Sequence, residues 1–178
     1  CQPADPPLDY RITAGPDPHS FANYDEVRVE HLSLDLRADF TSRTLSGHVT
    51  LALDRQDAAE RLVLDTWRLD IDDINRVADD GTLEPLTAPD EERGYLGAAL
   101  VIALEPGVDA VRIDYTTSPD AFGLQWLDGE QTTSGEPFLF SQSQPIYART
   151  WVPLQDTPAV RYTFDAEIAV PDDLMAVM

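Results

Sequence analysis

The chain has 178 residues, 43% of them apolar, a size and content that suit one globular unit with a substantial core. Its formal charge is −21, from 33 acids against 12 basic residues that are all Arg, which argues against nucleic acid or anionic lipid as a direct partner. No apolar run approaches the roughly 20 residues of a membrane-spanning helix, and a lone cysteine excludes an internal disulfide framework.

That cysteine is Cys1, followed by Gln2-Pro3-Ala4-Asp5-Pro6-Pro7. Cysteine in first place before a proline-rich stretch is similar to a mature bacterial lipoprotein, in which the residue carries acyl chains as an anchor rather than a span. Five of the 14 prolines lie within the first 18 residues, so residues 1–24 are expected to form an extended, semi-rigid arm. At about 3.1 Å per residue such an arm would hold the domain on the order of 60 Å from a membrane. The corresponding expectation is a cell-envelope location, with a cytoplasmic protein that happens to begin at Cys as the alternative.

From residue 25 onward the periodicity is that of strands. Leu32, Leu34, Leu36, Ala38 and Phe40 alternate with polar residues, predicting a half-buried strand. Val27 and Val29 sit on the opposite parity, which predicts a bulge near Glu30-His31. After a turn at Thr41–Thr44, Leu45, Val49, Leu51 and Leu53 continue on a second strand. Leu62–Leu64 and Leu69–Ile71 predict short strands, and Asp79-Asp80-Gly81 and Glu105-Pro106-Gly107 predict turns. Leu96–Leu104 is almost wholly apolar, as in a strand covered on both faces, and Val111, Ile113 and Tyr115 alternate again. The final alternation runs through Tyr162, Phe164, Ala166, Ile168 and Val170. No window carries a 3.6-residue period, so the domain is all-β.

Several acidic and nucleophilic patterns fail as sites. Asp70-x-Asp72-Asp73-x-Asn75 lacks the fifth ligand and glycine of an EF-hand loop and is expected to be a surface turn. His31 and His48 could meet across the first two strands, but no third ligand is placed with them, so no metal site is assigned. Ser141 and Ser143 have no His and Asp at triad spacing. Trp126, Trp151 and Phe138 are expected in core or interdomain packing.

The most informative stretch is Phe140–Pro158, FSQSQPIYARTWVPLQDTP. Gln142 and Gln144 are one residue apart, so an extended backbone would turn both amides to one face. An amide offers a donor beside an acceptor, which suits a peptide-like ligand better than acid–base chemistry; the alternative is a polar edge strand entering a turn.

The stretch resembles a segment of aminopeptidase N-family (gluzincin) zinc aminopeptidases, in which Gln or Glu is followed by Ala-Arg and an Asp-x-Pro turn. The leukotriene hydrolase/aminopeptidase branch, with its Ser-Gln-x-Gln run and Gln-Asp-Thr-Pro turn, is the most similar. Phe40–Gly47, Leu62–Thr66, Leu124–Leu127 and Tyr162–Pro171 resemble the same branch in the same order, so the likeness spans roughly residues 25–178.

The resemblance implies the non-catalytic N-terminal β domain of such an enzyme, residues 25–178, with a saddle-like, multi-sheet, mostly antiparallel β-sandwich fold. It implies that Gln144 helps hold the free N-terminus of a peptide and that Gln142 lines the same cleft; Tyr147, most simply a packing residue like the other aromatics, is the one expected near the substrate, since it sits three residues beyond Gln144. Arg149 and Asp156 would be structural, pairing under the cleft. Pro145 stands where the branch often carries a small residue, which puts the local backbone in question. The family's His-Glu-x-x-His motif is absent: the histidines are His19, His31 and His48, none at that spacing. This chain is therefore expected to hold no catalytic residue and no metal or cofactor, and to be inactive alone. Zinc would belong to the full-length enzyme, with the chain's own catalytic domain and peptide substrates as partners. The rival readings are a secreted β-sandwich lipoprotein that binds a peptide or glycan, and an inactive aminopeptidase-like scaffold.

Overall fold

The computed structural model describes residues 17–56, 58–88, 90–94 and 96–177, the stretch 90–94 by its backbone only. Cys1 and most of the expected arm lie outside these residues.

Among the described residues, eleven strands make three sheets. The largest is built from β1 (Val27–Asp39), β2 (Thr44–Arg55), β4 (Asp70–Val77), β5 (Leu83–Pro85), β8 (Ala110–Thr116) and β11 (Thr163–Ala169), in the order β11-β1-β2-β8-β4-β5. A second contains β3 (Arg61–Thr66), β7 (Gly97–Ala103) and β6 (Asp90–Gly94), in the order β3-β7-β6. The third pairs β9 (Leu124–Leu127) with β10 (Phe138–Ser141). Among these strands every pairing is antiparallel except β1 with β11.

The period-2 pattern explains the layering. In β1 the residues Leu32, Leu34, Leu36 and Ala38 are buried while Asp35, Arg37 and Asp39 face water. The register of β1 on β2 slips between Val29 and His31, so Glu30 is the extra residue and Val27 and Val29 point inward from the opposite parity. Val49 and Leu51 of β2 and Val111, Ile113 and Tyr115 of β8 extend this inner face. Leu62 and Leu64 of β3 and Leu100 and Ile102 of β7 join them in one core cluster. Each such side chain contributes roughly 1.5–3 kcal/mol by leaving water.

Three sequence expectations need correcting. The acidic run Asp70–Asn75 forms strand β4 rather than a surface turn: Ile71 and Ile74 pair with Tyr115 and Ile113 of β8, and a register shift between Ile71 and Asp73 turns acids outward. His31 and His48 do not meet; His31 lies opposite Ala52 and His48 opposite Asp35, well apart along the ladder. The stretch from Asp17 to Tyr24, assigned to the arm by composition, packs onto the body through Ser20, Phe21 and Asn23, whose side chain bonds to the Arg61 carbonyl and the Val63 amide.

The terminal alternation forms β11, but its apolar side is not covered. Phe164 is 55% exposed, Ala166 faces solvent, and Ile168 and Val170 are only half-buried.

Candidate functional site

The stretch 140–158 divides into an exposed half and a buried half. Strand β10 stops at Ser141, and the Gln142 amide N–H then donates to the Gly123 carbonyl at 2.8 Å. The chain turns at once: Tyr147 N–H donates to the Ser143 carbonyl at 2.7 Å, closing a bend that contains the cis Gln144–Pro145 bond. A short 3₁₀ turn, Ala148–Thr150, follows. The extended backbone expected through both glutamines is therefore not found. Both side chains are exposed, but Gln142 Oε1 accepts the Gln144 backbone N–H at 3.1 Å, so that oxygen braces the turn. The Gln144 side chain is exposed at the head of the bend.

Beneath them lies a buried ionic cluster. Arg149 is wholly buried, and its guanidinium is spanned by acceptors: Nε donates to Asp156 Oδ2 at 3.0 Å, Nη1 to the Leu96 carbonyl at 2.9 Å, and Nη2 to the carbonyls of His19 at 2.9 Å and Asp156 at 3.0 Å. Nη1 also stands 3.5 Å from Asp65 Oδ1. Such a planar fork of donors is the reason for Arg rather than Lys at a buried multidentate site. Asp65, equally buried in β3, accepts from Ser20 Oγ at 2.6 Å, Phe21 N–H at 2.8 Å and Asp156 N–H at 3.0 Å. Burial pushes the Asp65 carboxyl above the usual carboxylate range, against the downward pull of these hydrogen bonds and of the Arg149 charge.

The closing turn is clamped by the same logic. Asp65 and Leu154 exchange backbone bonds as an isolated bridge. Gln155, 1% exposed, donates from Nε2 to the Val27 carbonyl at 2.8 Å and accepts at Oε1 from Val29 N–H at 3.0 Å, satisfying the β1 backbone beside its bulge. Thr157 Oγ1 donates to Asp17 Oδ2 at 2.7 Å.

Two apolar features adjoin the glutamines. On one side a groove of about 410 Å³ is lined by Phe40, Phe138, Phe140, Trp151, Ile168 and Val170, among others, and by the tail residues 174–177. It reaches Ser141 and Trp151, whose Nε1–H donates to Ser143 Oγ at 3.1 Å. Phe138 and Phe140 are exposed on it, whereas Trp126 is half-buried edge-on against Phe40, ring centroids 5.1 Å apart. The other feature is a row of rings: Trp67 and Phe122 meet edge to face at 5.4 Å, and Phe122 and Tyr147 lie tilted at 5.9 Å.

Gln142, Gln144 and Tyr147 are thus brought together at one surface bend, and Arg149 and Asp156 are joined to each other directly below. Asp65, Ser20 and Phe122 were not singled out as site residues from sequence, and Gln155 stood out only as the first residue of the Gln-Asp-Thr-Pro turn. An acid directly after the apolar run Leu62–Leu64 was the available signal for Asp65, since a buried charge needs a partner. Nothing in the sequence marked Phe122. Among the described residues, no group of three or more His, Cys, Asp or Glu is placed to hold a metal ion. The described residues do not fit a zinc site.

Comparison with known proteins identifies this architecture. The Peptidase M1 N-terminal domain matches residues 22–178. The chain is 38% identical over 165 residues to leukotriene A-4 hydrolase of Xenopus laevis, covering 91% of this chain and 27% of that protein. It is 37% identical over 158 residues to leucine aminopeptidase 2 of Yarrowia lipolytica, covering 85% and 24%. Native leukotriene A4 hydrolase from Saccharomyces cerevisiae superimposes with a TM-score of 0.77 at 32% identity, over 90% of this chain and 26% of that one. The chain spans about a quarter of the length of the relatives it matches. It belongs to the M1 peptidase family, as an N-terminal domain of the kind carried by leukotriene A4 hydrolase and its aminopeptidase relatives.

Proposed function

We infer that this domain forms one wall of the substrate cleft in a zinc metalloaminopeptidase, where it helps to bind the free N-terminus of a peptide. The observation that carries this reading is the division of one short segment: Gln142 and Gln144 stay exposed while Arg149, Thr150 and Gln155 immediately below them are buried and saturated with hydrogen bonds. A polar pair on a rigid base meets a ligand with little ordering cost, as a preorganised binding element should. Gln144, with its side chain free of the turn's own backbone bonds, is the primary contact; Gln142 and Tyr147 flank it. A neutral carboxamide accepts a hydrogen bond from an α-ammonium without the charge assistance a carboxylate would add. Selectivity for a protonated amine would therefore rest largely on acids elsewhere.

The hydrolytic centre, including every zinc ligand, would lie in the portion of the parent protein that its relatives carry beyond this length. The domain's partner is that catalytic portion, and the apolar groove beside Ser141 and Trp151, with Phe138 and Phe140 open to solvent, is the surface suited to it. The full-length enzyme would hydrolyse N-terminal peptide bonds. Lipidation of Cys1 would tether it at the cell envelope, which mass spectrometry of the intact N-terminus tests directly.

The test of the cleft is Gln144→Ala in the full-length protein. Loss of one hydrogen bond to a charged amine should lower kcat/KM for peptides by about tenfold, with the thermal midpoint unchanged. Unaltered kinetics would remove Gln144 from the site.

A further inference from the structure

The rings of Trp67, Phe122 and Tyr147 form a row beside the bend that carries the glutamines. Phe122 is 59% exposed, on a chain whose formal charge is −21. One exposed aromatic is ordinary on a protein surface. Here the exposed ring is held on both sides, edge to face by Trp67 and tilted by Tyr147, so its position is defined while much of its surface remains open.

Its placement relative to the glutamines is fixed by backbone. Gly123, the next residue, accepts the Gln142 N–H at its carbonyl and donates its own N–H to Thr150 Oγ1 at 2.9 Å. The approach is too close for any larger residue: a Cβ at position 123 would fall 2.6 Å from the Tyr147 carbonyl oxygen. Phe122 therefore rides on a loop pinned to both ends of the bend that carries Gln144.

We propose that Phe122, backed by Trp67 and Tyr147, is a specificity-determining platform that receives a large apolar or aromatic side chain of the bound peptide. This rests on the reading of Gln144 as a contact for the peptide N-terminus. The bend that carries Gln144 also carries Tyr147, whose ring lies 5.9 Å from that of Phe122, and ring–ring contact at centroid separations of about 4.5–7 Å adds favourable energy beyond simple burial. The platform carries no charge, so it distinguishes side chains by apolar area.

The experiment uses the full-length enzyme and a set of tripeptides: Ala-Ala-Ala, the three peptides with Phe substituted at one position, and their Lys counterparts. In the Phe122→Ala variant, kcat/KM should fall roughly fivefold for the peptide carrying Phe at one particular position, the fold-change of one aromatic contact. Ala-Ala-Ala and the Lys peptides should change less than about twofold, and Phe122→Tyr should restore the Phe preference. An equal fall across all peptides, the result of a packing role against the catalytic portion, overturns the proposal, as does no fall at all or a fall confined to the Lys peptides. Gln144→Ala, assayed beside it, should weaken every peptide alike. If Phe122→Ala is selective while Gln144→Ala is silent, the amide reading fails and the platform stands; the reverse pattern removes the platform alone.

Discussion

Removing the Arg149 guanidinium gives the sharpest test of what supports the exposed glutamines. Arg149→Met keeps most of the side-chain stem but deletes the charge that faces Asp65, both residues being 0% exposed. Asp65 would keep its bonds from Ser20, Phe21 and the Asp156 amide, yet would remain a buried carboxylate without a counter-charge. The carbonyls of Leu96 and His19 would lose their donor as well. Deleting one partner of a buried pair typically costs 3–5 kcal/mol, and the orphaned acceptors place this case at about 4 kcal/mol. Against a total stability of roughly 5–15 kcal/mol that is severe, equivalent to a fall of about 8–16 °C in Tm for a chain of this size. Urea unfolding followed by tryptophan fluorescence should show a lower midpoint at unchanged slope. The pH dependence fixes the cause. Burial already raises the Asp65 carboxyl above its unfolded value, and loss of Arg149 raises it further. A group raised in the folded state binds its proton more tightly there, so the cost is present at neutral pH and is relieved as pH falls through the folded value towards 3.8. The deficit of the variant against wild type should therefore shrink as the pH is lowered from neutral, and Asp65→Asn in the same background should recover about half of it. A deficit below about 1 kcal/mol, or one that grows on acidification, would refute the assignment of this pair as the base of the site.

Three further outcomes follow from neighbouring geometry. Gly47 has φ +146° and a Cβ there would fall 2.1 Å from the Asp35 carbonyl oxygen, so Gly47→Ala should lower stability by about 3 kcal/mol in the same urea assay. Gln155→Leu should cost about 2–3 kcal/mol, because it leaves the Val29 N–H and Val27 carbonyl inside the fold without their partners; hydrogen exchange at Val29 should accelerate along with it. The Asp165 carboxyl is held below the usual range chiefly by its hydrogen bond from His31, 2.6 Å away, and next by that from Ser33. Its contribution is present above the unfolded value and lost as pH falls through the lowered folded one, so in His31→Ala carboxyl NMR should find Asp165 titrating closer to 3.8.

The strands were legible because alternation is a local signal: β1, β2 and β8 each place apolar residues on one side regardless of what lies opposite. Even the bulge at Glu30 showed as a change of parity. Alternation names a face without naming its cover, and β11 makes the difference plain, since Phe164 and Ala166 alternate as core residues do and yet face solvent. The acids of β4 misled for a related reason: a turn and an edge-ward strand both tolerate Asp, and only pairing with β8 separates them. The segment that carries the proposed contacts stood out in the sequence, but its geometry did not. The amides and the Arg-Asp pair stand within one short segment, whereas Asp65, which decides whether that segment can be rigid, comes from β3 and is separated from Arg149 by most of the core strands. The same non-local dependence bent the glutamines out of the expected strand: Arg149 must reach Asp65, Leu96 and His19 at once, and the chain satisfies it by turning between Ser143 and Tyr147. The outward residues of this segment are thus ordered by inward ones, and the proposed cleft-wall role would draw on that order, because a ligand would meet side chains whose backbone had already been immobilised during folding.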